Sequence, residues 1–133
     1  MDNKKILTRL SFLFLIIVFA IAYFSFNKPH KDFNKASIEY TIKSTDLFQK
    51  YQLDVSNANA RFLDKVLLIN GTIKEINSDM IILNGNIVCS FDASQPIDIK
   101  LEPTDKISIK GRCLGYDDLL EEVRIDNCSL MKN

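Results

Sequence analysis

The sequence predicts a mainly β fold: a small five-stranded barrel with one amphipathic helix before it, carried behind an N-terminal transmembrane helix. Three observations predict it. Residues 10–26 (LSFLFLIIVFAIAYFSF) contain no charged side chain. Between residues 44 and 64 the apolar side chains Leu47, Tyr51, Val55, Ala58 and Phe62 recur at intervals of four, four, three and four, which is one face of a helix. After Lys65 the pattern changes to a period of two between short turns, and two of the strands so predicted carry a central glycine.

The chain has 133 residues with 3 Pro and 4 Gly, which fits one domain and excludes a collagen-like or Pro/Gly-rich disordered chain. Its 17 basic and 17 acidic side chains cancel, but unevenly. Residues 1–31 hold five basic groups and one acidic, whereas residues 32–133 hold 12 basic and 16 acidic, a net of −4. Such a domain is poorly charged for gripping a polyphosphate.

The sequence divides into a short basic head (1–9), the apolar run (10–26), a linker (27–43) and a helix-plus-barrel domain (44–131). Counted from Ile6, the run has twenty-one residues with Arg9 able to snorkel outward, and as a helix it spans roughly 31 Å, the thickness of a bilayer core. A helix apolar on every face would otherwise need a far larger globule to bury it. Tyr23, Phe24 and Phe26 sit at its outer end, where aromatic rings favour the interface. The rival reading is a signal peptide cleaved after Ala22, since Lys4, Lys5 and Arg9 form a basic n-region and Ala20-Ile21-Ala22 a small-x-small site. The first cysteine is Cys89, so no lipobox is available for lipoprotein processing. Lys28, Lys31 and Lys35 nearly balance the basic head. The basic-then-apolar order still reads as an export signal, placing the domain outside the cytoplasm on a single-pass inner-membrane anchor.

In the domain, Ser44 or Thr45 is positioned to cap the helix, with Asp46 in its first turn. The strands follow in order: Val66 to Ile76, Met80 to Leu83, Ile87 to Phe91, Lys106 to Cys113 and Val123 to Leu130. Asn84-Gly85-Asn86 is a hairpin turn, because Asn-Gly tolerates the positive φ angles of a tight primed turn. Ile87, Cys89 and Phe91 share one face. Ile107, Ile109, Gly111 and Cys113 do the same, opposite Lys106, Ser108, Lys110 and Arg112. Gly71 and Gly111 remove side chains where a sheet coils sharply or another backbone comes close, as a small closed barrel of the OB type requires. An α+β roll or open sheet is the alternative architecture.

Taken in order, NKPH, ANARFLDKV, VLLINGTI, VCSF, ISIKGRCLG and IDNCSL resemble the bacterial tRNA-anti-like OB-fold family, membrane-anchored or lipid-anchored proteins mostly of Bacteroidetes. The resemblance covers about residues 27 to 131 and implies an OB barrel, but assigns no biochemical role. One departure is Pro103-Thr104-Asp105, where relatives tend to have a glycine turn.

OB modules that hold single strands combine a basic groove with aromatic platforms. Here the only barrel-strand aromatic is Phe91, expected inside. Phe33, Tyr40, Phe48, Tyr51 and Phe62 precede the barrel, and Tyr116 is expected in a loop. Nucleic acid is therefore disfavoured, although the Lys106, Lys110, Arg112 row could touch phosphates and a cytoplasmic orientation would revive that reading. The single histidine, His30, lies in the linker, so no Cys–His or Ser–His pair supports catalysis and no His/Cys spacing suits zinc: no catalytic residue, metal or cofactor is expected. Asp117, Asp118, Glu121 and Glu122 match no EF-hand spacing and read as a solvated acidic turn. Cys113 and Cys128 could form a disulfide closing about sixteen residues, worth roughly 3 kcal/mol in an oxidising compartment, or all three cysteines could be reduced core residues. The sequons at Asn70 and Asn127 fall in predicted strands and carry no expectation of glycosylation.

These observations lead to a membrane-anchored, non-enzymatic binding or envelope-structural module with a protein, peptide or glycan ligand. Its partners are the bilayer through residues 10–26 and that unidentified ligand. The expected ligand surface is the face of the second and third barrel strands with the loops around Asn77 to Asp79 and Leu114 to Glu122, and Tyr116, Asp117 and Asp118 are its candidate residues.

Overall fold

The computed structural model describes residues 2–27, 33, 35–97 and 100–132, so His30 and part of the linker lie outside the described residues. The chain divides into two compact units, Met1–Lys31 and Asp32–Asn133. In the first, a single helix α1 (Asp2–Phe26) takes in the basic head as well as the apolar run. An 18-residue window of it has a mean hydropathy of 2.3, and its 25 residues measure roughly 37 Å, long and apolar enough to cross a membrane.

The second unit contains β1 (Tyr40–Lys43), α2 (Ser44–Leu53), α3 (Val55–Phe62), β2 (Val66–Ile76), β3 (Met80–Leu83), β4 (Ile87–Phe91), β5 (Lys106–Asp117) and β6 (Glu122–Met131). The sheet order is β1-β2-β3-β4-β6-β5, and β5 pairs back onto β2, so strands β2 to β6 close the predicted five-stranded barrel. Closure depends on β2 serving two partners. Val66 to Thr72 lie antiparallel to β5, while Ile73 to Ile76 pair with β3 across a register shift. Opposite β5, on the stretch of β2 that β3 does not reach, β1 pairs in parallel with Leu67 to Asn70.

Strand β1 is a correction to the linker expected over 27–43. Tyr40 and Ile42 are half-buried while Thr41 and Lys43 are exposed, a strand alternation only four residues long. It covers an edge that would otherwise present unpaired backbone groups to solvent.

The helix expected over 44–64 is two helices. Asp54 adopts an extended backbone (φ −161°, ψ 98°), and its carboxylate accepts the Asn57 N–H at 3.0 Å, so it ends α2 and caps α3. The apolar stripe survives the break: Leu47, Tyr51, Ala58 and Phe62 are buried in one core with Leu67, Ile69, Ile81, Leu83, Ile87, Ile109, Val123 and Ile125. The cap of α2 also differs. Its N-cap is Lys43, which makes no side-chain cap bond, and Ser44 lies buried in the first turn, donating from Oγ to Asn84 Oδ1 at 2.5 Å.

Both mid-strand glycines stand at close approaches. A Cβ on Gly71 would lie 2.5 Å from Ser44 Oγ, and one on Gly111 would lie 2.5 Å from Ile125 Cγ2 and 2.9 Å from the Asp126 carbonyl oxygen. Gly71 therefore lets α2 seat on the barrel, and Gly111 lets β6 cross β5.

Candidate functional site

Strand β5 runs four residues past Cys113, because the backbone bulges between Cys113 and Gly115, with Gly115 at φ +98°. Tyr116 and Asp117, expected in a loop, are consequently the last residues of a strand, and the loop shrinks to the tip 118–121. The Tyr116 ring is committed to packing. It stacks on Tyr51 at 6.2 Å and 13° and lies against Phe48 at 6.2 Å and 52°. Asp117 builds the turn: its Oδ1 accepts the N–H groups of Leu119 (3.0 Å) and Leu120 (3.2 Å), and its Oδ2 lies 4.0 Å from Arg124. Glu122 pairs with Arg124 at 3.4 Å, and the Glu121 carbonyl accepts from Asn86 Nδ2 at 3.4 Å.

Asp118 is exposed at the start of this tip. The turn presents two leucines to solvent, Leu119 at 94% and Leu120 at 61% exposure. Sequence reasoning passed over both, although two adjacent leucines between acidic pairs break the strand alternation and are the available signal.

On the expected strand face, Ile81, Leu83, Ile87 and Cys89 are buried in the core and Met80, Ile82 and Ser90 are left at least partly exposed, while Val88 between them is itself buried. That face carries no aromatic ring. The rings elsewhere are engaged: Tyr40 meets Phe62 edge-on at 5.5 Å, Tyr51 lies between Phe62 and Tyr116, and the Arg112 guanidinium sits 4.6 Å over Phe33. Phe91 is buried, as its alternation predicts. Arg112 is also gripped bidentately by Asp126, at 2.9 and 2.5 Å, which holds its pKa above the ordinary guanidinium value. Lys110 likewise has an interaction of its own, and Arg112 is the member of the basic row on β5 held in an ion pair.

All three cysteines are free and fully buried. The register sets Cys113 opposite Ile125, not Cys128, and the bulge in β5 turns its thiol to the Tyr51 hydroxyl at 3.3 Å. The Cys128 thiol instead donates to the Ile125 carbonyl at 3.6 Å. In this structure all three cysteines are thiols, the alternative left open beside the Cys113–Cys128 pairing, and burial pushes the Cys113 and Cys128 thiols up from the ordinary range. Among the described residues, no group of three or more His, Cys, Asp or Glu is placed to hold a metal.

The remaining feature is a polar cleft of about 470 Å³. It is formed where the β1–α2 junction (Lys43, Ser44, Thr45) faces mid-β2 (Asn70, Gly71, Thr72), Asn84 of the β3–β4 turn, and the start of β5 (Lys106, Ile107, Ser108). Asn84 Oδ1 accepts from both Ser44 Oγ and the Thr72 N–H, the latter at 3.0 Å, and Asn70 Oδ1 accepts from Ser108 Oγ at 2.6 Å. No local motif announces this cleft, because four separate segments assemble it.

The family model described as tRNA_anti-like matches residues 1–124, beginning earlier and ending sooner than the resemblance read from sequence. Among solved structures, the chain is similar to a candidate nucleic acid-binding lipoprotein from Klebsiella pneumoniae subsp. pneumoniae MGH 78578, with 18% identity and a TM-score of 0.57 over 79% of this chain and 100% of that one. At that identity the likeness concerns the fold. No curated protein is significantly similar to this chain.

Proposed function

Because this chain belongs to the tRNA_anti-like family, we propose that it is a membrane-tethered, non-enzymatic OB-fold binding module whose β5–β6 tip engages a protein or peptide. The observation that carries this reading is Leu119, 94% exposed on a turn pinned by Asp117. An apolar side chain left in water contributes nothing to folding, but desolvating it on a partner is worth about 2 kcal/mol. The tether is supported by the length and apolarity of α1, and the similar Klebsiella protein is described as a lipoprotein, another form of membrane attachment.

The test is site-specific photocrosslinking from position 119 of the full chain in intact cells. A discrete adduct is expected from 119, lost when Leu120→Ser is added and absent from a probe at exposed Thr41. Equal labelling from both positions overturns the reading. A C-terminal alkaline phosphatase fusion, active if the domain is exported, checks the orientation independently. The description of the Klebsiella protein favours nucleic acid as a second reading. Single-stranded oligonucleotide binding that falls steeply with salt would establish it.

A further inference from the structure

We propose that the cleft between the β1–α2 junction and strands β2 and β5 is an anion site that takes a phosphate group, from a soluble phosphate monoester or from a lipid headgroup. The argument is an inventory of donors and acceptors. The amide oxygens lining the cleft already hold donors: Asn84 Oδ1 takes two, from Ser44 and Thr72, and Asn70 Oδ1 takes the Ser108 hydroxyl, while the Thr45 and Thr72 hydroxyls can donate as well as accept. That consumes the hydroxyl protons of Ser44 and Ser108 as well. What the cleft still offers is donors and positive charge, in the side-chain NH₂ groups of Asn70 and Asn84 and the ammonium groups of Lys43 and Lys106.

Neither lysine has an ion-pair partner among the described residues. No Asp or Glu lines the cleft, and Asp46, on the same helical turn, is outside it. Two lysines without an ion-pair partner lining one cleft, in a domain of net charge −4, are a local reversal of the prevailing field. The first turn of α2 adds to it: its N-cap, Lys43, makes no side-chain bond, so no side chain caps the helix's leading N–H groups where Ser44 and Thr45 meet the cleft.

A cavity of about 470 Å³ holds a small molecule or a headgroup. With every described ring near the helices engaged in packing, it offers no base-stacking platform, which favours an isolated phosphate over a polynucleotide.

The test uses the ¹⁵N-labelled full chain in phosphatidylcholine nanodiscs, titrated with inorganic phosphate at constant ionic strength and followed by NMR. Saturable shifts are expected at the Ser44 and Thr45 amides and the Asn84 side-chain NH₂, with Kd raised roughly tenfold in Lys43→Gln/Lys106→Gln. Both lysines are exposed, so the double variant keeps the fold, and Leu119→Ser, at the other site, titrates as wild type. Two arms separate the sources. The same shifts on adding phosphatidic acid to the disc, without soluble phosphate, assign a headgroup, and saturation by glycerol phosphate alone assigns a soluble monoester. Three outcomes overturn the proposal: chloride reproducing the shifts, the double variant titrating like wild type, or an oligonucleotide moving the same amides at lower concentration than either phosphate probe.

Discussion

Replacing Gly71 with Ala tests the closest approach between the helices and the barrel. The added Cβ would stand 2.5 Å from Ser44 Oγ, 2.9 Å from Ser44 Cβ and 3.1 Å from Asn84 Oδ1. Ser44 is 1% exposed and cannot swing into solvent, so the first turn of α2 must lift. Overpacking of this kind costs about 1–3 kcal/mol. Displacing Ser44 also breaks its hydrogen bond to Asn84, about 1 kcal/mol more, while the stiffer unfolded chain returns about 0.5–1 kcal/mol. The net is a loss of about 2 kcal/mol, or roughly 8–16 °C in Tm for a domain of this size. Urea denaturation of residues 32–133, which contain every core residue, measures it. Ser44→Gly removes the contacted side chain, so Gly71→Ala/Ser44→Gly should fall about 2 kcal/mol short of the sum of the two single losses. Additive losses, or a Gly71→Ala cost under about 0.5 kcal/mol, would refute the account of why glycine stands there.

Three further outcomes are expected. Asp54→Ala removes the carboxylate that caps α3 and should cost about 1 kcal/mol by the same denaturation, with α3 amides exchanging faster. Thr104 has φ +79°, and relief of that backbone strain should make Thr104→Gly neutral or stabilising by up to about 1 kcal/mol. Burial raises the Cys113 and Cys128 thiols above their unfolded values, so their stability contribution is intact below the ordinary thiol pKa and is lost as pH rises beyond it, by up to about 1.4 kcal/mol per unit per thiol. Urea midpoints taken from pH 7 to 10 should fall, and should flatten in Cys113→Ala.

The barrel was legible because its signals are local: Asn84-Gly85 for the hairpin, period two for the strands, a glycine at each close approach. What was not legible depends on distant partners. The spacing of Tyr51, Val55 and Ala58 remains helical across Asp54, so the stripe hides the break, and only the Asp54–Asn57 cap separation hints at a restart. Strand β1 is four residues whose pairing rests on an edge of β2 that no local pattern reveals. The strand read from the alternation stops at Cys113, yet the positive φ of Gly115 lets β5 bulge and continue to Asp117. The cleft is the extreme case, since its two lysines are separated by 63 positions in sequence.

The place given to Tyr116 changes how the tip must be probed. Sequence position made it the natural residue to replace, but its ring bridges Phe48 and Tyr51 of α2, so truncating it loosens the helix before it touches any ligand. Tyr116→Ala should therefore cost stability, about 1 kcal/mol or more for the lost ring pairs, whereas Leu119→Ser should leave the fold unchanged. The same packing makes the tip stiff: Asp117 holds the turn from within, Arg124 braces it, and Tyr116 ties its base to the core. A partner thus meets a preformed surface, and a loss of crosslinking in Leu120→Ser at unchanged stability can be assigned to the contact itself.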